Sequence, residues 1–406
     1  MRILFFSNNP ADYYNDTLGT GYHGVGWVTS LLALVKDCGN IGFCFFSGSR
    51  DDTYAAVGGV EYFPVYNPYE CRRGRIKKLL PGGFSREDRY LIPRFLEVID
   101  RFCPDVIVVF GSERSFGLVA TKTDIPVILH IQGLIGPCYR GYFPPGASMI
   151  KYILDAGGFT KALTRFYKMR NLRHAAKREA AILGSIRNFL CRTAWDKAMV
   201  AEANPSARIF HCDEVLRPQF YSAAPWKPST TDKPVFVTTI SEPPYKGMDV
   251  ILRAGAILSS KGFPFDWKVY GNVEPRFFEK LTGITCRDAG ITICGPAPAE
   301  EIARALCECT AYIHPSYIDN SPNSVCEAQI IGAPVIATRT GGIPSLIEEG
   351  ATGMLFPTGD AEALAELMRK DLSALSAAER EKALIRHDKN NIKTTFITYL
   401  NSLKRN

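Results

Sequence analysis

Residues 311–342 read AYIHPSYIDNSPNSVCEAQIIGAPVIATRTGG, and this stretch decides the fold. Residues 311–314 form a short apolar run that Pro315 closes, as expected of a buried strand. Residues 316–324 are polar and show no apolar period, which is the signature of a turn. Residues 325–331 suit a helix, and Gly332 stands where a left-handed C-terminal residue is expected. Residues 334–338 are a second apolar strand that runs out at Gly341 and Gly342. Strand, polar loop, helix and strand make one βαβ unit with a right-handed crossover. Its loop leaves the carboxyl end of a parallel strand, where open α/β sheets bind ligands.

The loop also carries chemistry. Asp319 and Glu327 lie eight residues apart, one on the loop and one on the first helical turns. Between them Asn320, Ser321, Asn323 and Ser324 offer side-chain donors, and the helix start adds free backbone N–H groups. Such a helix end holds anions and sugar oxygens, and a carboxylate can accept both vicinal hydroxyls of a ribose. The same residues suit a plain capped helix, with Asn323 or Ser324 as N-cap and Glu327 as an early acid. Spacing alone leaves both readings open.

Outward from this unit, the whole chain behaves as a globular α/β protein. Its 406 residues exceed one ordinary core and imply two domains. A hydrophobic content of 46% beside 22% charged residues excludes a disordered chain. No apolar run reaches the roughly 18 residues that span a bilayer. The opening MRILFFSNNP reads as a first strand and not as a secretion signal. Twelve scattered cysteines lack paired metal-ligand spacing, which points to reduced thiols in a cytoplasmic protein. Net charge is +7, and it is uneven: residues 1–225 hold 28 basic against 20 acidic groups, leaving 20 against 21 in the rest. Phosphorylated ligands or an anionic lipid face account for that excess. Nucleic acid does not, because no zinc finger, helix-turn-helix or aromatic RNA-binding motif is present.

The first half alternates strand and helix. Strands are expected at residues 2–7, 41–46, 106–110 and 125–130. A loop with Gly19, Gly21, Gly24 and Gly26 leads into helical residues 27–35, and such glycines let backbone approach a phosphate. The run CRRGRIKK (71–78) has five positive charges in eight residues and reads as a solvated loop or an anionic-surface contact. Residues 161–178 carry seven Lys or Arg beside Leu163, Phe166 and Tyr167 at helical spacing, a surface helix with a basic face. His130, Gln132 and Gly133 sit at the carboxyl end of a strand, where either a packed residue or a cleft residue belongs. Residues 225–234, PWKPSTTDKP, have linker composition. A second alternation follows, with strands at 235–239, 267–270 and 291–294 and helices at 249–259, 298–307, 361–368 and 395–403. Lys246, beside Gly247 and ahead of a helix, can meet a phosphate as a mobile point charge.

The segment HPSYIDNSPNSVCEAQIIGAPVIATRTGGIPSLIEEGATGMLFPTGDAEALAELM resembles the donor-binding core of glycosyltransferase family 4, retaining enzymes of the GT-B fold. The family places Glu, seven residues, then Glu, followed by a Gly-x-Pro-Val strand and a Gly-Gly-Ile-Pro turn. Here Glu327, Gly332-Ala333-Pro334-Val335 and Gly341-Gly342-Ile343-Pro344 match, while Asp319 replaces the first Glu with one methylene less. Asn320-Ser321-Pro322 replace the small residues that usually follow.

The resemblance implies two Rossmann-like domains facing each other across a cleft. Residues 1–224 would form the acceptor domain, 225–234 the linker, 235–385 the nucleotide-sugar donor domain, and 386–406 a helix crossing back to the first domain. It implies catalytic roles for His130, Asp319 and Lys246. Donor binding falls to Glu327, Asn320, Ser321, Asn323, Ser324, Gly295, Gly24 and Gly26. The family's arginine ahead of the lysine is absent from Thr239-Ile240-Ser241-Glu242, so either Lys246 works with backbone donors only or another residue such as Arg192 or Arg339 fills in. The reaction expected is transfer of a hexosyl group from a nucleotide-sugar to a saccharide or lipid-linked acceptor, in cell-surface polysaccharide synthesis, with no metal or other cofactor. The expected location is the cytoplasm, peripheral to the inner membrane face through the basic first domain. A GT-B sugar-nucleotide epimerase and a catalytically inactive binding subunit remain as alternatives.

Overall fold

The computed structural model describes residues 1–18, 26–228 and 233–403. Two sheets organise them. The first contains β1 (Arg2–Ser7), β2 (Asn40–Ser47), β3 (Ala55–Val57), β4 (Val60–Tyr66), β5 (Val106–Phe110), β6 (Val127–His130), β7 (Asn188–Cys191) and β8 (Arg208–His211). Its order is β3-β4-β2-β1-β5-β6-β7-β8, parallel except for the β3–β4 pair. The second contains β9 (Val235–Thr239), β10 (Asp266–Tyr270), β11 (Ile291–Gly295), β12 (Ala311–His314), β13 (Val335–Thr338) and β14 (Met354–Phe356). Its order is β11-β10-β9-β12-β13-β14, parallel throughout. The order reverses beside β1 in one sheet and beside β9 in the other, which sets a ligand crevice at the carboxyl ends of both.

Central strands such as β1, β5 and β6 are buried almost end to end because helices cover both faces. Strand β6 begins at Val127 and not at Ile125, since Pro126 has no N–H to give the ladder; its carbonyl still accepts from Ile107 N at 2.9 Å. The hairpin of β3 and β4 escapes sequence reading, its turn being set by Gly58 and Gly59 at φ 60° and 81°.

Two charge-rich stretches differ from their expected form. The run at 71–78 is not a loop but the Arg72–Leu79 helix, and Lys78 is fully buried between Glu70 at 2.8 Å and Glu87 at 2.7 Å. The run at 161–178 lies in the Phe159–Ser185 helix, as its period predicts. Its basic side chains are largely committed: Lys161 and Arg165 pair with Glu274, Lys168 with Glu242 at 2.6 Å, and Arg178 with Asp88 at 2.8 Å. Glu242 and Glu274 belong to the second sheet's unit, so this face ties the two halves together.

The last helix, Lys389–Leu403, buries Ile392, Phe396, Leu400 and Leu403 in the core beneath the first sheet, with Phe396 edge-on to Phe5 at 6.2 Å. The chain thus returns to the half it started from.

Candidate active site

The Asn323–Ile331 helix begins two residues earlier than its apolar period suggests, after Pro322, and no side chain caps it. Asn323 and Ser324 therefore occupy the first turn and not the cap. Both line a cavity of about 390 Å³, a size suited to a small ligand. Its walls come from the carboxyl ends of the second sheet (Thr239, Ile240, Tyr270, Gly271, Pro296, Ala297) and from Glu327 on the helix. Gly26 and Trp27 from the first half and Leu216 and Arg217 from the segment after β8 complete it. The cavity spans the cleft.

Glu327 is buried within that wall, and the Arg217 guanidinium holds both its oxygens, Nε to Oε1 at 2.7 Å and Nη2 to Oε2 at 2.8 Å. Burial raises its carboxyl pKa above the usual value, and Arg217 works against that rise. The fork-to-fork geometry leaves the outer lone pairs of the carboxylate unused, so it can still accept hydroxyl hydrogens. Arg217 was missed in the sequence, where the only signal is an arginine before Pro218 at the start of the Pro218–Ser222 helix.

Asp319, eight residues earlier on the loop ahead of that helix, forms a second cluster. Its Oδ2 accepts from Lys246 Nζ at 2.6 Å and lies 3.2 Å from His314 Nε2, while Oδ1 accepts from Asn320 N at 3.0 Å. Burial alone would raise its pKa, but Lys246 and His314 outweigh it and hold the carboxyl well below the usual range. His314, buried at the end of β12, has its own pKa lowered by the same burial, with Asp319 opposing. The shorter side chain of Asp319 meets a lysine that comes to it: Lys246 ends a single 3₁₀ turn, Pro244–Lys246, ahead of Gly247. Gly247 has φ 83°, and a Cβ there would stand 2.1 Å from Pro315 O, so the two loops touch through backbone.

Asn320 and Ser321 face the other half of the molecule. Thr193 Oγ1 donates to Asn320 Oδ1 at 2.9 Å, and Asn320 Nδ2 donates to Asp196 Oδ2 at 3.1 Å. Arg192 donates to Ser321 O at 2.9 Å and Asn323 Oδ1 at 3.2 Å, and pairs with buried Glu214 at 2.5 Å. Gly341 and Gly342 make room for this latch, since Cβ atoms there would lie 1.9 Å from Asp319 O and 2.0 Å from Asn320 O. Of the two alternatives for the family's missing arginine, replacement by Arg192 or Arg339 is disfavoured by their partners in this arrangement. Arg192 is spent on the latch, and exposed Arg339 pairs with Glu349.

His130 closes β6 but is buried, its ring centroid 4.7 Å from that of the cavity residue Trp27 and tilted 40° to it. Burial and the charge of Arg192 lower its pKa to about 3, which keeps the ring neutral. Gly295 ends β11 at φ 76° and accepts from Gly271 N at 2.7 Å, immediately before the cavity residues Pro296 and Ala297. Gly26 is at the cavity, whereas Gly24 lies outside the described residues. Among the described residues no group of three or more His, Cys, Asp or Glu is placed to hold a metal ion, and all twelve cysteines are free.

Two sheets with a cleft at their carboxyl ends, joined by a returning C-terminal helix, make this a GT-B fold. Residues 232–373 carry a domain that matches the family described as Glycosyl transferases group 1. The chain is similar to the amylovoran biosynthesis glycosyltransferase AmsK of Erwinia amylovora, 33% identical over 131 residues. That match covers 30% of this chain and spans about a third of the relative's length (32%). Whole-chain likeness is seen in solved structures: sucrose-phosphate synthase from Thermosynechococcus elongatus has a TM-score of 0.72 at 16% identity, covering 99% of both chains. Anabaena HepE in complex with UDP and glucose has a TM-score of 0.63 at 15% identity, covering 99% of this chain and 100% of that one. At such identities the likeness carries the fold.

Proposed function

We propose that this protein is a retaining glycosyltransferase of the family 4 type, moving a hexosyl group from a nucleotide-sugar to a saccharide or lipid-linked acceptor in cell-surface polysaccharide synthesis. The observation that carries this reading is the two-sided cavity with Glu327 in its wall, on the helix that follows the loop bringing Asp319 to Lys246. The group 1 domain, the relative named for amylovoran biosynthesis and the fold shared with a UDP complex support it.

In this reading Glu327 accepts the ribose hydroxyls, and Ser324 and Asn323 present the first helical turn to the donor. Lys246 has two N–H groups beyond the one given to Asp319, and they neutralise the departing diphosphate. The reaction breaks the bond from the anomeric carbon to the diphosphate oxygen and forms a bond from that carbon to the acceptor hydroxyl oxygen. The acceptor proton passes to the leaving phosphate, so attack comes from the face of departure and configuration is kept. Asp319 is too committed to Lys246 and His314 to serve as the nucleophile of a double displacement. No metal is assigned to the reaction: the charge-neutralising group is an ammonium, and no metal-ligating cluster occurs among the described residues.

The acceptor, in this reading, is met at the anionic inner face of the cytoplasmic membrane by the first domain, whose excess of basic groups supports the placement. Lys78 takes no part in it, being buried.

Calorimetric titration with UDP-, GDP- and ADP-sugars tests the donor assignment. The nucleotide that binds wild type should bind Glu327→Gln about 10- to 100-fold more weakly, the loss of charge-assisted hydrogen bonds worth roughly 1.5–3 kcal/mol. Equal affinities for the two proteins would overturn it.

A further inference from the structure

Among the described residues twelve large hydrophobic side chains are exposed, and eight of them fall in three neighbouring helices of the first half. Ile76 and Leu80 belong to the Arg72–Leu79 helix and its end, Met149, Ile150 and Leu154 to the Met149–Leu154 helix, and Phe159, Leu163 and Phe166 to the start of the Phe159–Ser185 helix. Single exposed apolar residues are ordinary, but a cluster of this kind marks a contact surface. Spacing puts Ile150 and Leu154 on one helical face, and Phe159, Leu163 and Phe166 on another. A groove of about 640 Å³ runs between two of the helices, lined by Ile76, Leu79, Phe159, Leu163 and Tyr167.

The extremes sit at one corner. Leu154 is 80% exposed and Phe159 84%, on either side of the turn through Gly157 and Gly158. The corner is not loose: Tyr152 is buried beneath it, Arg165 donates to Tyr152 O at 2.6 Å, and Lys280 of the second half pairs with Asp155. Apolar tips held this far out on a firm corner gain nothing from water. The same helices carry the exposed basic side chains of Arg73, Arg75, Lys77 and Lys151, and Arg75, 3.8 Å from Glu70, lines the groove together with Phe159. Exposed apolar tips and exposed cations on the same helices match one surface, acyl chains beneath anionic headgroups.

We propose that this corner inserts into an anionic bilayer, with Ile150, Leu154 and Phe159 among the acyl chains and Arg73, Arg75, Lys77 and Lys151 against the headgroups. The proposal rests on the reading that the first domain meets a membrane, and it changes the physical basis of that contact. Charge alone fades as salt rises, whereas apolar insertion does not. Because Asp155 and Lys161 pair with Lys280 and Glu274 across the cleft, insertion also places the joint between the two halves at the membrane, where a lipid-linked acceptor would lie.

The test is flotation of the full-length protein with vesicles of phosphatidylcholine alone or mixed with phosphatidylglycerol, at low and high salt. Wild type should float with the mixed vesicles and keep part of its binding at high salt. The Ile150→Ser, Leu154→Ser, Phe159→Ser variant should partition at least about tenfold less at both salts, its fold checked by circular dichroism and nucleotide binding. The Arg73→Glu, Arg75→Glu, Lys77→Glu variant should lose only the salt-sensitive part. If the serine variant floats as wild type does, the corner is not the inserting surface, although membrane contact stands. If wild type floats with neither vesicle, both readings fall. A wild-type dimer that the serine variant converts to monomer, without vesicle binding, identifies the patch as a self-association face and overturns the inference.

Discussion

Arg217→Met removes the guanidinium from Glu327 while keeping an unbranched apolar stem in its place. Glu327 is 4% exposed, and Arg217 supplies both of its hydrogen-bond donors at 2.7 and 2.8 Å. Breaking a fully buried pair costs about 3–5 kcal/mol. The arginine side chain is 28% exposed, so water can follow its removal, and a proton can discharge the carboxylate; a loss of about 2 kcal/mol is therefore expected at neutral pH. The sign with pH is distinctive. Burial raises the Glu327 pKa and Arg217 opposes the rise, so in the variant burial acts alone and the pKa climbs further. A carboxyl whose folded pKa lies above its unfolded value favours the fold most at acid pH, and that contribution is lost as pH rises through the folded value. On the proposed ribose-binding role of Glu327, donor binding runs the other way, because only the ionised carboxylate accepts both hydroxyls. The variant should thus be more stable but bind worse at about pH 5, and be less stable but bind better towards about pH 9. Calorimetry with the nucleoside diphosphate that binds wild type, paired with thermal melts across that range, reads both trends. A variant that binds as tightly as wild type at every pH refutes the coupling of Arg217 to Glu327.

Other outcomes follow from the same geometry. Lys246→Met should weaken a nucleoside diphosphate about tenfold or more while leaving the nucleoside nearly unchanged, since the ammonium addresses only phosphate; competition binding compares the two. Gly342→Ala drives a Cβ to 2.0 Å from Asn320 O, and should destabilise the latch between the halves by several kcal/mol in denaturant unfolding, on the order of the largest single-site effects. Transferase activity should persist in excess EDTA and gain nothing from manganese or magnesium, as measured by nucleoside diphosphate release.

Much of the fold was legible because local physics wrote it. Short apolar runs bounded by glycine and proline mark β9 and β12 at their observed ends, and Gly332 stops the Asn323–Ile331 helix in a left-handed turn at φ 89°. What was not legible depends on residues far apart in sequence. Asn320 and Ser321 read as donor-binding groups, and nothing local tells that Asn320 also meets Asp196 and Thr193, or the Ser321 carbonyl Arg192, more than a hundred residues away. Arg217 was invisible for the same reason, being 110 residues from Glu327. In the run at 71–78 charge does mark solvent at Arg73, Arg75 and Lys77, but Lys78 is inside because Glu70 and Glu87 both reach it, which the run itself does not reveal.

The most direct test follows the anomeric proton of the donor sugar by NMR, with wild type, the nucleotide-sugar that binds it and an acceptor preparation. A retaining transferase replaces the donor's anomeric signal with a product signal of the same configuration, and Lys246→Met slows that replacement. An unchanged donor signal across the UDP-, GDP- and ADP-sugars, or a product of inverted configuration, contradicts the proposed reaction.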